Sequence, residues 1–577
     1  APAVLLLLPG LDAFAAAVVA SRVLPGAGRL FARRGARDVR LAGISVARSP
    51  AAAGVAAAFL ALAVGLAILA VAYRSTLQAG ERDQAAYAVP ADLVVREDLR
   101  ALVPVTRAAP LARYREIPGV DAAYPVFRSS ASAGPAAAVS GVTVLGVPGP
   151  AIRAMPLWRR DWGSSKDALA AAVAPSAPTA LRGVGLSGPT LRLAVGPGLV
   201  SYSATIEQRD GSFRLVELGR ADGIRPTVLS APLPPPARGG RLVSVTLVPP
   251  RIIERGSDEG GALRGTTTVR LLGGSLAGWL GDGGVTVSGA GGDPGSLHVV
   301  YVLTPQRVGR VRARQAADDA HAAAAVTPAL ARLAGGVGRD LPLRIGGEPV
   351  NVRVSAVVDR VPGTTGDAVL TDLGAITNAL DTVAPGGGGV SELWLEVAPG
   401  AQSRVAAALS RRPFAVLEKQ SRAALEADAR RDPLGHGTLL ALAASALAAL
   451  ALAAAGLVLA IRADLRDDRG ELTDLEAQGA TPGVLRRVVA ARAALVGVVG
   501  ALVGALAGIA LAFLVTRVVA VTARADAPEP PLATTVDPLT LALGAAAFAV
   551  AAVALVVWTT RRAFGDPRGP GRIGGEG

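Results

Sequence analysis

The chain has 577 residues, 51% of them apolar, and a formal charge of +14. Its mean hydropathy of +0.43 is that of a membrane protein with a large polar portion, and the length allows several domains. The absence of cysteine excludes disulfides, thiolate catalysis and cysteine-based metal sites.

Nearly all the positive charge is arginine, Lys166 and Lys419 being the only lysines. The arginines gather beside apolar runs, so the charge reads as topology and lipid contact, and no nucleic-acid partner is expected. Residues 1–24 are apolar but interrupted by Pro9, Gly10 and Asp12. They read as a span at the end of an upstream unit, since no basic stretch precedes them as in a signal peptide. Residues 25–50 hold a run of arginines opposed only by Asp38, which marks a cytoplasmic segment. Residues 51–73 are uncharged and long enough for a crossing helix, which needs about 20 residues.

Residues 74–436 turn polar, with frequent Gly and Pro, and read as one extracytoplasmic domain. Its outer parts, 74–189 and 306–436, mix strands with helices such as 109–117 and 372–380. An alanine-rich helix is expected over 313–333. Between them, 190–305 shows short alternating runs separated by turn residues, the pattern of a β-sandwich insert. The predicted fold is thus a multi-span α-helical membrane protein with a large extracytoplasmic α/β domain carrying an inserted β-sandwich.

Residues 437–461, 489–517 and 538–560 are three further spans, with 518–537 an outer loop and 561–577 a basic cytoplasmic tail. Assigning every arginine-rich segment to the cytoplasm makes the spans alternate, in a bacterial cytoplasmic membrane with the large domain outside. Between two of the spans, the charged segment 462–488 reads as helix, break, helix. Gly479 stands where a left-handed cap belongs, and Thr481 with Pro482 forms an N-cap and first turn. Arg486, Arg487 and Arg492 enter the next helix, where long side chains reach back to headgroups. Gly500, Gly504 and Gly508 follow at spacing four, one face on which another helix can approach closely.

The phrase Leu475-Glu476-Ala477-Gln478-Gly479-Ala480-Thr481 resembles the one that ends the charged cytoplasmic helix of FtsX/MacB-like ABC transporter permeases, ahead of the third span of a four-span unit. The order of spans and outer domain from about Leu41 to Arg562 fits the same pattern. A glutamate that often follows the paired arginines in that family is missing here: Val488 to Ala491 lead to Arg492 instead. The resemblance implies a permease subunit working by mechanotransmission, with Arg469, Glu471, Leu472, Leu475, Glu476, Gly479 and Thr481 coupling to a separate ABC ATPase. It also implies pairing of permeases as a homo- or heterodimer.

An ATPase of its own would need a phosphate-cradling Gly-rich loop ending in Lys-Ser or Lys-Thr, and neither lysine lies in one. ATP is therefore expected on the partner, with no cofactor, metal or catalytic residue in this chain. His298, His321 and His436 are scattered, and Asp464, Asp467 and Asp468 lack calcium-loop spacing. The alternative is a membrane-anchored protein whose insert binds a glycan or envelope component; four or five spans exceed what an anchor requires.

Overall fold

The computed structural model describes residues 8–34, 37–48, 50–176, 179, 182–209, 212–221, 223–249, 262–289, 295–304, 308–315, 318, 321–431, 433–467, 481–518, 528–533 and 537–539, with isolated positions from 542 to 561. The chain forms two compact units, one of residues 1–85 with 425–577, the other of 86–424.

In the first unit the long helices are α1 (Leu8–Arg34), α2 (Arg37–Arg48), α3 (Pro50–Ala88), α4 (Pro433–Asp467) and α5 (Pro482–Val518). Among the described residues, four apolar stretches are long enough to cross a membrane: Phe14–Arg33, Ala53–Ala88, Gly437–Gly456 and Gly483–Leu514. The expected span at 538–560 falls mostly outside the described residues. The first apolar helix runs on to Arg34 through Pro25, ten residues beyond the expected end. At 39 residues, α3 is about 58 Å long at 1.5 Å per residue, roughly twice the hydrocarbon thickness.

Small residues set the packing of these helices. Ala53, Ala57 and Ala61 of α3 are buried with Leu495, Val496 and Val499 of α5. Leu69 and Ala72 pack with Leu511 and Ala512. Lipid supplies no hydrophobic force between apolar helices, so close contact of small side chains is what holds them. Leu440, Leu447, Leu502 and Leu506 are exposed on the outer faces.

Among the described residues, the second unit has twenty strands. Its first three are β1 (Leu93–Glu97), β2 (Val120–Ala133) and β3 (Val139–Gly146). After a helical stretch come β4 (Val184–Gly185), β5 (Thr190–Val195), β6 (Ser201–Glu207), β7 (Phe213–Arg220), β8 (Thr227–Pro232) and β9 (Arg241–Val248). Then follow β10 (Leu263–Leu271), β11 (Leu280–Asp282), β12 (Val285–Gly289), β13 (Ser296–Leu303) and β14 (Gly309–Arg312). The last six are β15 (Ala322–Val326), β16 (Asp340–Ile345), β17 (Glu348–Val357), β18 (Ala368–Thr371), β19 (Glu392–Val397) and β20 (Leu417–Ser421).

Strands β16-β17-β15-β18-β3-β2 run in that order, and β16 pairs back onto β2. The closing register sets Leu343 opposite Ala133 and Ile345 opposite Ala131. The parts expected as an α/β domain therefore close into a six-stranded barrel. The long β2 also continues into a second sheet of order β2-β19-β1-β20, with a register shift between Ala131 and Ala133 at the point where it closes on β16.

The barrel also overturns the alanine-rich helix predicted over 313–333. Ala322–Val326 is the buried strand β15, parallel to β17 and antiparallel to β18. Among the described residues of that stretch, α-helix is confined to its end, in the helix Pro328–Ala334. A barrel of six strands is narrower than one of eight, whose interior is just wide enough for ordinary side chains. Ala131, Ala133, Ala322 and Ala324 suit that interior, so packing overrides the helix propensity of alanine. The helix Leu373–Val383 covers the barrel core with Ala375, Ile376 and Leu380. It starts at Asp372, whose Oδ1 accepts from Ala375 N at 3.1 Å, a standard N-cap.

The strands between β4 and β14 form a five-stranded sheet, β12-β13-β10-β5-β8, and a six-stranded one, β11-β14-β9-β6-β7 with β4 beside β9. They share one core, with Leu191, Tyr202, Ile206, Leu247 and Tyr301 at its centre.

Candidate functional site

The predicted glycine face lies against α3. A Cβ at Gly500 would come 2.8 Å from Ala57 O, and one at Gly508 would come 2.6 Å from Gly65 O. At Gly504 it would stand 2.9 Å from Ala61 Cα and 3.0 Å from Ala61 C, and nearer still to Ala61 O. The three glycines thus meet three small residues of α3, themselves spaced by four, with backbone against backbone. Gly497 is outside this seam, with nothing within 4 Å of its Cβ position. A second contact of the same kind joins α1 to α2, where a Cβ on Gly28 would lie 2.9 Å from Gly43 O.

Arg492 departs from the expectation that it reaches toward headgroups. It is 6% exposed, and its Nη1 donates to Ser45 Oγ of α2. The position lies on the helix face that packs inward, so the guanidinium is held by a neighbouring helix. Arg486 and Arg487 are exposed. Of the predicted coupling residues, Thr481 is exposed and its carbonyl accepts from Val484 N at 2.9 Å. Arg469, Glu471, Leu472, Leu475, Glu476 and Gly479 lie outside the described residues.

Sequence reasoning missed a set of ion pairs that tie the end of α3 and the segment after it to the segment before α4. In the first unit, Arg82 Nε donates to Glu426 Oε1 at 3.3 Å. In the second, Arg96 grips Glu418 through two bonds, at 3.0 and 2.7 Å. That fork holds the Glu418 carboxyl below its ordinary value and raises the Arg96 guanidinium. Arg422 pairs with Asp92 Oδ1, while Asp92 Oδ2 accepts from Val397 N at 2.9 Å. The partners are more than 300 residues apart in sequence, so nothing local announces them. The opposite half of the glycine seam did leave a signal, the spacing of Ala57, Ala61 and Gly65.

Residues 443–567, covering most of α4 and all of α5, match the family described as FtsX-like permease C-terminal. The chain carries an FtsX-like permease C-terminal domain. That domain supports an ABC transporter permease subunit in general, a kind of membrane transporter that is generally not enzymatic and is served by a partner ATPase subunit. No curated protein matches the chain.

Proposed function

We propose that this FtsX-like permease works by mechanotransmission: a separate ATPase docks on the segment Arg469–Thr481, and its movement passes through the helices to the large domain. The observation that carries the proposal is the seam of Gly500, Gly504 and Gly508 against α3. A displacement at the start of α5 would move α3 with it, because backbones in direct contact leave no compressible side chains between them. The paired charges Arg96–Glu418 and Arg422–Asp92 would keep the segments after α3 and before α4 moving together. In this account the two sheets of the insert form a β-sandwich layered on the outer domain. That domain faces outward from a bacterial cytoplasmic membrane, two permeases pair, and ATP binds only to the partner. The work done is export or extraction of an envelope substrate, or regulation of an extracytoplasmic partner.

The test is recovery of the permease from detergent together with its ATPase, followed by ATP hydrolysis in reconstituted bilayers. Co-recovery and stimulated hydrolysis support the proposal. A chain that recovers no ATPase and binds an envelope component without one would instead be an anchored binding protein.

A further inference from the structure

The two sheets of the insert differ in the acids they carry and in the cover on their outer sides. The outer side of the six-stranded sheet is covered over β9 and β14, where Val243, Ser244 and Arg312 are buried, and exposed along β7. Gln315, just beyond β14, accepts at 3.0 Å from Thr382 of the barrel-capping helix. The described acids on the insert's strands, Glu207, Glu217 and Asp282, all belong to this sheet.

The five-stranded sheet has its outer side open and no Asp or Glu in any of its strands. Its central strand β10 alternates with Val269 and Leu271 in the core and Arg264, Thr266, Thr268 and Arg270 exposed. The outward row is Arg-Thr-Thr-Arg, and its ends are about 20 Å apart at 3.4 Å per residue. Beside it, β5 places exposed Arg192 next to Ser230 of β8, and β12 adds exposed Thr286 and Ser288. Val300, opposite Thr266, is 43% exposed.

We propose that this face binds an anionic polyol polymer, a glycan or sugar-alcohol chain linked by phosphodiesters. Arginine forks match phosphate oxygens bidentately, and a row that begins and ends in arginine with hydroxyls between suits repeating anions separated by polyols. Threonine and serine both donate and accept, as the hydroxyls of a polyol require. An exposed sheet face accommodates an extended chain. Single-stranded nucleic acid is a poorer fit, because it stacks its bases on aromatic side chains and the outward positions of these strands hold no Phe, Tyr or Trp, with His298 as their one aromatic ring. The proposal is independent of coupling to an ATPase, since binding is measured without ATP.

The test uses the full chain in phosphatidylcholine nanodiscs, with fluorescent poly(ribitol phosphate) as probe and anisotropy as the measurement. Salt of about 0.1 M and about 1 M gives screening lengths of about 10 Å and about 3 Å, so binding at the lower salt should fall at the higher. Replacing Arg192, Arg264 and Arg270 together with Gln should weaken binding about tenfold or more. Arg214→Gln with Arg241→Gln, on the six-stranded sheet, should leave it unchanged. Thr266→Val with Thr268→Val should weaken binding of poly(ribitol phosphate) and not of polyglutamate. Absence of binding by the unaltered chain would overturn the proposal. So would equal binding of polyglutamate or neutral dextran, or a triple variant that unfolds at the same temperature as the unaltered chain and binds as tightly.

Discussion

Replacing Gly504 with Leu tests the seam at its tightest point. The first added carbon would stand 2.9 Å from Ala61 Cα and 3.0 Å from Ala61 C, where carbon atoms normally rest at about 3.5–4.0 Å. The backbone of α3 cannot rotate away as a side chain would, so the helices must part by about 0.5–1 Å for the Cβ alone, and the remaining leucine atoms demand more. A gap of that size forfeits a quarter to a half of each dispersion contact along the seam, and overpacking of a tight site costs about 1–3 kcal/mol. Gly497→Leu is the internal control, because nothing lies within 4 Å of its Cβ position. The assay is the thermal unfolding midpoint of the purified permease in detergent, read alongside hydrolysis by the reconstituted ATPase complex. Gly504→Leu should lower the midpoint and uncouple hydrolysis, while Gly497→Leu should do neither. Indistinguishable midpoints for the two variants would refute the reasoning.

Two further outcomes concern the unit of residues 86–424, whose unfolding in urea is followed by the fluorescence of Trp158, Trp162, Trp279 and Trp394. Glu392→Ala should destabilise it by about 3–5 kcal/mol, because the Glu392 side chain is 2% exposed and receives Arg128 Nη2 at 3.0 Å and Trp394 Nε1 at 3.1 Å; a loss below 1 kcal/mol, as for a surface pair, would contradict this. Burial pushes the Asp381 carboxyl up to about 6 from 3.8, against the opposing bonds from Gly386 N and Gly388 N. The folded domain therefore holds this proton longer than the unfolded chain does. Its contribution is fully present below about pH 4 and is lost as pH rises through 6, about 3 kcal/mol in all. Asp381→Asn should flatten the urea midpoint between pH 4 and 7; an unchanged slope would remove the assignment.

What could be read in the sequence followed the reach of its signals. The apolar helices α3, α4 and α5 were legible because an uncharged run of bilayer length has few other uses, and the glycine face because period four is local. The strands of the insert were legible from alternation, as in β10 and β13. The barrel was not, since its closing contact joins Ala131–Ala133 to Leu343–Ile345, more than 200 residues away. The same limit hid Arg96–Glu418, and it turned Ala322–Val326 into an expected helix, because the demand for small residues comes from the barrel's width and not from neighbours in sequence. Arg492 was placed at the headgroups because its helix was read without the α2 residue Ser45 that receives it.

The central claim is that an ATPase drives this permease through the segment ahead of α5. Leu472→Asp with Leu475→Asp removes the small apolar anchor expected there and lies outside the spans, so insertion into the membrane should be unaffected. The decisive measurement is ATP hydrolysis and complex recovery with the cognate ATPase in reconstituted bilayers. The account predicts that the double variant inserts normally, loses most of the complex and shows no stimulated hydrolysis. Complex recovery and hydrolysis both at the level of the unaltered permease would contradict it.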